Sequence, residues 1–426
     1  MAGWRRQSAV TVVAAVKPEA LPALRGLLQG MSGDVRANDV LPFGRLDDTH
    51  YARLFVLGSA KTTDGKELPA YLVFMSDVDG RSEEHLAQVV DVGGSGIDHL
   101  YSHCADYQAP ASGRRSRLAY LLSHRAKSFK YVNTVGRTVR QIRQEAELRE
   151  AIEGFLDQAG PRLADCTASE VRAAIRDFVA SDDRLRWALT PAPKTPLAHR
   201  LRELAHFALP VVPALFLGPV LVPTLLVWVV VLRAHEVRDP APLVRPDPAH
   251  LEALRALEDH TAQNQFTAAG LLKPGWFRKV TATTILWLVA FGARHIFNNG
   301  NLAGVKTIHF ARWVLLDGGA RSVFASNYDG STESYMDDFI DKVAWGLNAV
   351  FSNGAGYPRT RWLLFGGARD EHAFKGYLRT HQLPTEVWFA AYEHLTALNI
   401  VDNARIRAGL HGEMSESEAG AWLRLL

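Results

Sequence analysis

Val73-Phe-Met-Ser-Asp-Val-Asp79-Gly80-Arg-Ser-Glu83 and Val323-Phe-Ala-Ser-Asn-Tyr-Asp329-Gly330-Ser-Thr-Glu333 match at a constant offset of 250, and the match continues without a gap through Gly96/Gly346, Ser102/Ser352, Ala105/Ala355 and Tyr107/Tyr357. Such self-similarity is read before any motif, because it sets the architecture. Upstream, His50-Tyr-Ala-Arg53-Leu-Phe-Val-Leu57 matches His309-Phe-Ala-Arg312-Trp-Val-Leu-Leu316 at an offset of 259, so the connection that follows is nine residues longer in the first copy. Further up, Ala14-Ala-Val-Lys17-Pro18 resembles Gly270-Leu-Leu-Lys273-Pro274.

Hydrophobic periodicity gives each copy the same order of elements. In the first, it predicts a strand over 9–16, a helix opened by Pro18, a hairpin of strands 50–57 and 69–76, a long helix after Asp79-Gly80, and a closing strand over 129–139. In the second, it predicts strands over 265–272, 307–316, 321–326 and 361–365, with helices over 275–297 and 332–352. This is the β-α-β-β-α-β order of a ferredoxin-like unit, which leaves one apolar sheet face for a second copy to cover. The expected fold class is α+β: two fused ferredoxin-like repeats forming a dimeric α+β barrel, with an apolar helical insert between them. The expected segments are 1–160 for repeat one, 161–250 for the insert, 251–400 for repeat two and 401–426 for a C-terminal helical tail. Over about two thirds of the chain this topology resembles the dimeric α+β barrel superfamily, which includes dye-decolourising peroxidases, chlorite dismutases and aldoxime dehydratases.

Composition narrows the function. The 426 residues carry 48 basic and 45 acidic side chains, a net charge of +3 that implies no nucleic-acid partner. Two cysteines, Cys104 and Cys166, make neither a disulfide framework nor a zinc site and suit a reducing compartment. GxSxG, P-loop and GxGxxG motifs are absent, so hydrolase, NTPase and dinucleotide readings have no motif. Against these averages stands the uncharged run 207–232, long enough to cross a bilayer but interrupted by Pro210, Pro213, Pro219 and Pro223. If both repeats form one barrel, its two flanks lie on one side of a membrane, which a single crossing forbids. Three readings stand: a membrane-dipping or in-plane segment, a buried helical hairpin, and a span paired with the apolar stretch 283–291. That second stretch is apolar nearly all round and needs a cover, from the insert, from lipid or from both. Arg5-Arg6 followed by 9–16 is read as the first strand, not an export signal.

Three residues apart on a strand, His309 and Arg312 are expected on opposite faces. Asp329 stands in Ser326-Asn327-Tyr328-Asp329-Gly330, which is similar to the GxxDG motif of dye-decolourising peroxidases with the leading glycine replaced by Ser326. The resemblance implies haem. His309 or His295 would be the iron ligand, Asp329 a distal acid/base, Arg312 a partner for peroxide or a propionate, and Asn327 a cofactor contact. The other readings stay open: His50/His309 as structural chemistry kept in both copies, His295 as a helix C-cap, and Asp329 as an N-cap matched by Asp79. Glu333, Asp337, Asp338, Asp341 and Lys342 form either a divalent-metal face or a solvated one; Glu258 to Gln265 is a ligand-binding cluster or a polar loop. Asn348, Asn353, Arg359 and Arg361 add polar groups at the far end of the long helix. The expected function is a membrane-associated, haem-dependent, peroxidase-like oxidoreductase acting on an apolar or lipid substrate. It would sit on the cytoplasmic side of a membrane as a peripheral or monotopic protein. The alternatives are a non-catalytic membrane-surface binding or scaffolding protein, and a cofactor-free monooxygenase or isomerase.

Overall fold

The β-branched runs of both copies form two separate antiparallel four-stranded sheets in the computed structural model, which describes residues 4–108, 113–240, 245–298 and 300–426. The strands are β1 (Gln7–Ala15), β2 (Thr49–Leu57), β3 (Tyr71–Asp79), β4 (Ser128–Val132), β5 (Gln263–Leu271), β6 (Ile308–Leu316), β7 (Arg321–Asp329) and β8 (Val387–Ala390). The chain is α+β, and its sheets run β1-β3-β2-β8 and β4-β6-β7-β5. No single closed sheet is found among the described residues.

Two expectations are corrected here. The first closing strand ends at Val132, because Thr138 caps the helix that follows. The second is β8, not 361–365, which folds instead into a two-residue ladder between Thr360–Arg361 and Phe365–Gly366. Each closing strand crosses to the other copy's sheet. β4 pairs with β6, setting Tyr131 opposite Ala311, and β8 pairs with β2, setting Trp388 opposite Arg53. Just before crossing, each touches the first strand of its own copy: the Val13 N–H donates to His124 O at 3.0 Å and the Leu383 N–H to Thr267 O at 2.8 Å.

Helices cover the outer faces. In the first copy these are α1 (Leu21–Gly33), α2 (Ser82–Gly93), α3 (Ser95–Tyr101) and α4 (Arg114–Ser123); Gly94 at φ 50° breaks the single helix expected after Asp79-Gly80. Between the copies come α5 (Val139–Leu163), α6 (Ala168–Ser181), α7 (Leu197–Phe216), α8 (Gly218–Arg238) and α9 (Pro248–Arg255). The second copy has α10 (Trp276–His295), α11 (Thr332–Phe351) and α12 (Glu371–His381), and α13 (Ala397–Gly409) and α14 (Glu416–Leu423) follow. The insert and the C-terminal tail share one core, in which Leu148, Ile152, Ile175 and Val179 meet Ile406, Leu410 and Trp422. Strand alternation separates the other cores. Leu54 and Leu72 face the helices of the first copy, whereas Phe55, Val73, Val314 and Val323 fill the space between the sheets.

Equivalent residues make equivalent bonds. Lys17 Nζ donates to Ser102 O at 2.8 Å and Lys273 Nζ to Ser352 O at 2.7 Å. Ser76 Oγ meets His85 Nε2 at 2.9 Å, and Ser326 Oγ meets Tyr335 OH at 2.6 Å. The two copies then differ in a testable way. Burial holds the His85 imidazole down to about 3, against 6.5 when unfolded. Between those values the unfolded chain takes up a proton that the folded chain refuses, so stability falls as pH drops through that window, by up to about 1.4 kcal/mol per unit. His85→Tyr, which copies the second repeat, should remove that slope in urea titrations stepped from pH 7 to 4.

Glycine positions differ as well. A Cβ on Gly96 would stand 1.9 Å from Val40 O, whereas one on Gly346 would have only Val343 Cβ at 3.9 Å within 4 Å. Gly96→Ala should therefore cost about 1–3 kcal/mol by overpacking. Gly346→Ala, inside α11, should gain up to about 1 kcal/mol, and thermal melting distinguishes the two.

Candidate functional site

The uncharged run folds as α7 and α8, joined at the non-helical Leu217. No residue of α7 is buried, and α8 buries only Leu232 and Glu236. Of the 29 exposed large hydrophobic side chains among the described residues, 18 lie between Leu197 and Val237, with Leu215 at 74% and Phe216 at 81% exposure. A concentration of this kind marks an interaction surface. Gly218–Arg238 is the one helix among the described residues long and apolar enough to cross a membrane by length and composition.

Both feet of the helix pair rest on α10. The Phe207 ring lies 5.6 Å from Phe291 and the Trp228 ring 4.4 Å from Phe277. Phe277 and Phe291 are about 21 Å apart along α10, and each arm from foot to Leu217 is about 15 Å long, at 1.5 Å per residue. The two arms meet at Leu217 and form a wedge with Phe216 at its tip. Trp276 and Trp287 on α10, Trp345 on α11 and Trp362 beside Arg233 of α8 are also exposed. At the foot of α8 the buried Glu236 carboxylate accepts bonds from Thr360 Oγ1 at 2.9 Å and from the Trp362 and Leu363 N–H groups, both at 2.8 Å. It thereby holds two non-glycine residues at φ 55° and 65°, each strained by about 1–2 kcal/mol.

Between the sheets lies the polar constellation expected to carry chemistry. A one-residue register shift at His309 in β6, matched at His50 in β2, is a β-bulge. The bulge breaks alternation, so His309 and Arg312 both face the other sheet, contrary to the spacing argument. His309 Nε2 lies 2.6 Å from Asp329 Oδ1, and Asp329 Oδ2 accepts the Ala397 N–H at 2.7 Å. The first copy repeats this: His50 Nε2 is 3.0 Å from Asp79 Oδ1, and Asp79 Oδ2 accepts the Val139 N–H at 2.8 Å. Each aspartate thus holds the first turn of a distant helix, α13 or α5, while Ser331 caps α11. Tyr392 OH completes the group at 2.7 Å from His50 Nδ1; burial pushes its phenol and that of Tyr51 far above the usual range.

The arginines bolt the sheets together. Arg312 Nη1 donates to Val10 O at 2.6 Å and Thr11 Oγ1 at 3.3 Å, and its Nη2 to Ser76 O at 2.9 Å and to the Asp77 carboxylate. Arg53 does the same in reverse, reaching Phe266 O at 2.9 Å, Thr267 Oγ1 at 2.8 Å, Ser326 O at 2.9 Å and Asn327 Oδ1 at 2.5 Å. Burial, and after it the Arg312 charge, lowers Arg53 to about 9, so it remains cationic at neutral pH. Asn327 also accepts from Trp388 Nε1 at 3.1 Å.

These residues do not suit haem. Arg312, Asp329 and Asn327 are spent on bonds within the fold, and the cavity at His50 and His309 is about 20 Å³, room for roughly one water. His295 sits where α10 meets α7, its Nε2 2.9 Å from His206 Nδ1. A cavity of about 360 Å³ between the second sheet and α10 and α11 is lined by apolar side chains such as Ile285, Val289, Met336 and Phe339, with no histidine.

The remaining candidates serve the fold. Lys375 Nζ lies 2.5, 2.6 and 2.7 Å from Glu333, Asp337 and Glu371, so an ammonium occupies the centre that a metal would need. Asp338 pairs with Lys342 at 2.5 Å and Asp341 is exposed. Glu258 binds Arg379 at 2.6 Å, and Asp259 Oδ1 accepts the Thr332 N–H at 2.9 Å. Asn348 Nδ2 holds Leu364 O at 3.0 Å, Asn353 Oδ1 accepts from Arg278 at 3.3 Å, Arg359 reaches Asp239 O at 3.2 Å, and Arg361 is exposed. Sequence reasoning passed over Arg53 and Asp79 as partners, although the repeat contains both. Tyr392 and Glu236 carry no motif. No known family, curated protein or solved structure matches this chain.

Proposed function

We propose that the chain is two fused ferredoxin-like units that exchange their closing strands, and that it is a monotopic membrane-surface binding protein gripping the bilayer with the α7–α8 wedge. The wedge carries this reading. Because both feet stand on one helix, the apolar run returns to the side it leaves. Arms of about 15 Å suit insertion at the headgroup and acyl boundary and fall short of the about 30 Å hydrocarbon core. The interior between the sheets is filled by side chains, which favours binding over catalysis there. The apolar cavity beside α10 and α11 supports an apolar ligand as cargo, being within the usual size of small-molecule pockets of about 300–1,000 Å³. The test is flotation of the full chain with phosphatidylcholine vesicles. Co-flotation at 0.15 M salt is expected, and protein that stays at the bottom of the gradient overturns the proposal.

A further inference from the structure

A second cavity, about 220 Å³, opens where α7 leaves the body of the protein, and its wall includes Arg6, Lys130, His206, Trp287, Phe291 and Arg294. Three cations converge on it, and among the described residues Glu203 is the carboxylate within ion-pair range of them, with Asp77 acting on Lys130 from farther off. Glu203 binds Arg294 at 2.6 and 2.8 Å and reaches Arg6 only at 3.5 Å. Lys130, on the crossing strand β4, donates to the backbone oxygen of Gln7 at 3.2 Å and has no carboxylate within ion-pair range among the described residues. Burial, and then the Arg6 charge, lowers its ammonium to about 8.

We infer that this cavity binds a phosphate anion, presented by a phospholipid headgroup at the bilayer surface. The headgroup assignment rests on the membrane reading above; the anion chemistry does not. Like charges gathered in a half-buried space are unfavourable without a counterion, and a phosphate supplies one. Glu203 occupies the Arg294 fork, which leaves the Arg6 guanidinium and the Lys130 ammonium, groups that proteins use for phosphate. Position selects the source. His206 lies on the arm of the wedge, and Trp287 is exposed on the flank of α10 that carries the wedge, so the cavity sits at the level of headgroups when the tip is inserted. Trp287 and Phe291 give it an apolar side suited to a glycerol backbone rather than to free phosphate alone.

The test uses the full chain and monomeric dihexanoyl phosphatidylglycerol, with inorganic phosphate as the second probe, in calorimetric titrations. The short-chain lipid is expected to bind at least tenfold more tightly than phosphate. Lys130→Met, which keeps the aliphatic stem, should weaken it at least tenfold, and Lys130→Arg should restore most of the loss. Lys279→Met, an exposed lysine on α10, should change nothing. Equal binding of both probes overturns the headgroup assignment. Absence of binding by either probe, or equal losses for Lys130→Met and Lys279→Met, overturns the site. Lys130-dependent binding in a protein that does not float supports the anion site and overturns the membrane reading alone.

Discussion

Arg312→Met should lower the unfolding free energy by about 3–5 kcal/mol, the cost of removing one partner of a buried ion pair. Arg312 is 3% exposed, and its guanidinium ties β6 to β1 and β3 through Val10, Thr11, Ser76 and Asp77. Without it, the Asp77 carboxylate stays between the sheets with Asn327 Nδ2 at 3.5 Å as its hydrogen-bond partner and the Arg53 and Lys130 charges beyond. The repeat supplies an internal control. Arg53 makes the same four-point clasp on the opposite sheet, but the side chain in the place of Asp77 is the neutral Asn327. Arg53→Met therefore strands no charge and should cost less, about 1–3 kcal/mol for unsatisfied neutral groups. The double change Arg312→Met with Asp77→Asn should recover part of the single-variant loss, since it removes the orphaned charge. Urea denaturation at pH 7 measures all three, and an Arg312→Met variant as stable as wild type would contradict the bolting role.

The second large effect concerns the wedge. Leu215→Glu with Phe216→Glu should reduce vesicle partitioning at least 100-fold. Each side chain gains about 1.5 kcal/mol or more on leaving water, so two together amount to about 3 kcal/mol. Folding should be indifferent to the change, because both residues stand at the tip and are largely exposed. Unaltered melting with lost flotation is the expected pair of results. Flotation equal to wild type would show that the wedge does not hold the membrane.

How far the sequence leads is seen best at the strands. In the second copy, 265–272 and 307–316 fall within two residues of β5 and β6, because these short, mostly apolar runs carry their own signal. The closing strand escapes for a physical reason. Trp362, Leu363, Leu364 and Phe365 read as a strand because they are apolar and consecutive, yet three of the four are exposed beside the wedge. Val387-Trp-Phe-Ala is shorter, follows Pro384 and shares no residue with Phe129-Lys-Tyr-Val, so only the pairing of Phe389 with Ala52 and of Tyr131 with Ala311 reveals their equivalence. The bulges at His50 and His309 are equally silent. Period-2 reasoning counts residues and cannot see one that is skipped, so it set His309 and Arg312 on opposite faces when both point inward. Recurrence in both copies was the better guide: His309, Arg312 and Asp329 have counterparts in His50, Arg53 and Asp79 that make the same bonds.

The crossed closing strands bear on how the chain is built during synthesis. β2 waits for its outer neighbour until residues 387–390 have been made, more than 300 residues after its own emergence, and meanwhile presents an unpaired edge. Pairings so distant in sequence make folding slow, and the exposed edge invites association with other chains. The first half supplies three strands of its sheet and lacks the outer one, so that sheet is completed only in a late event, when β8 arrives.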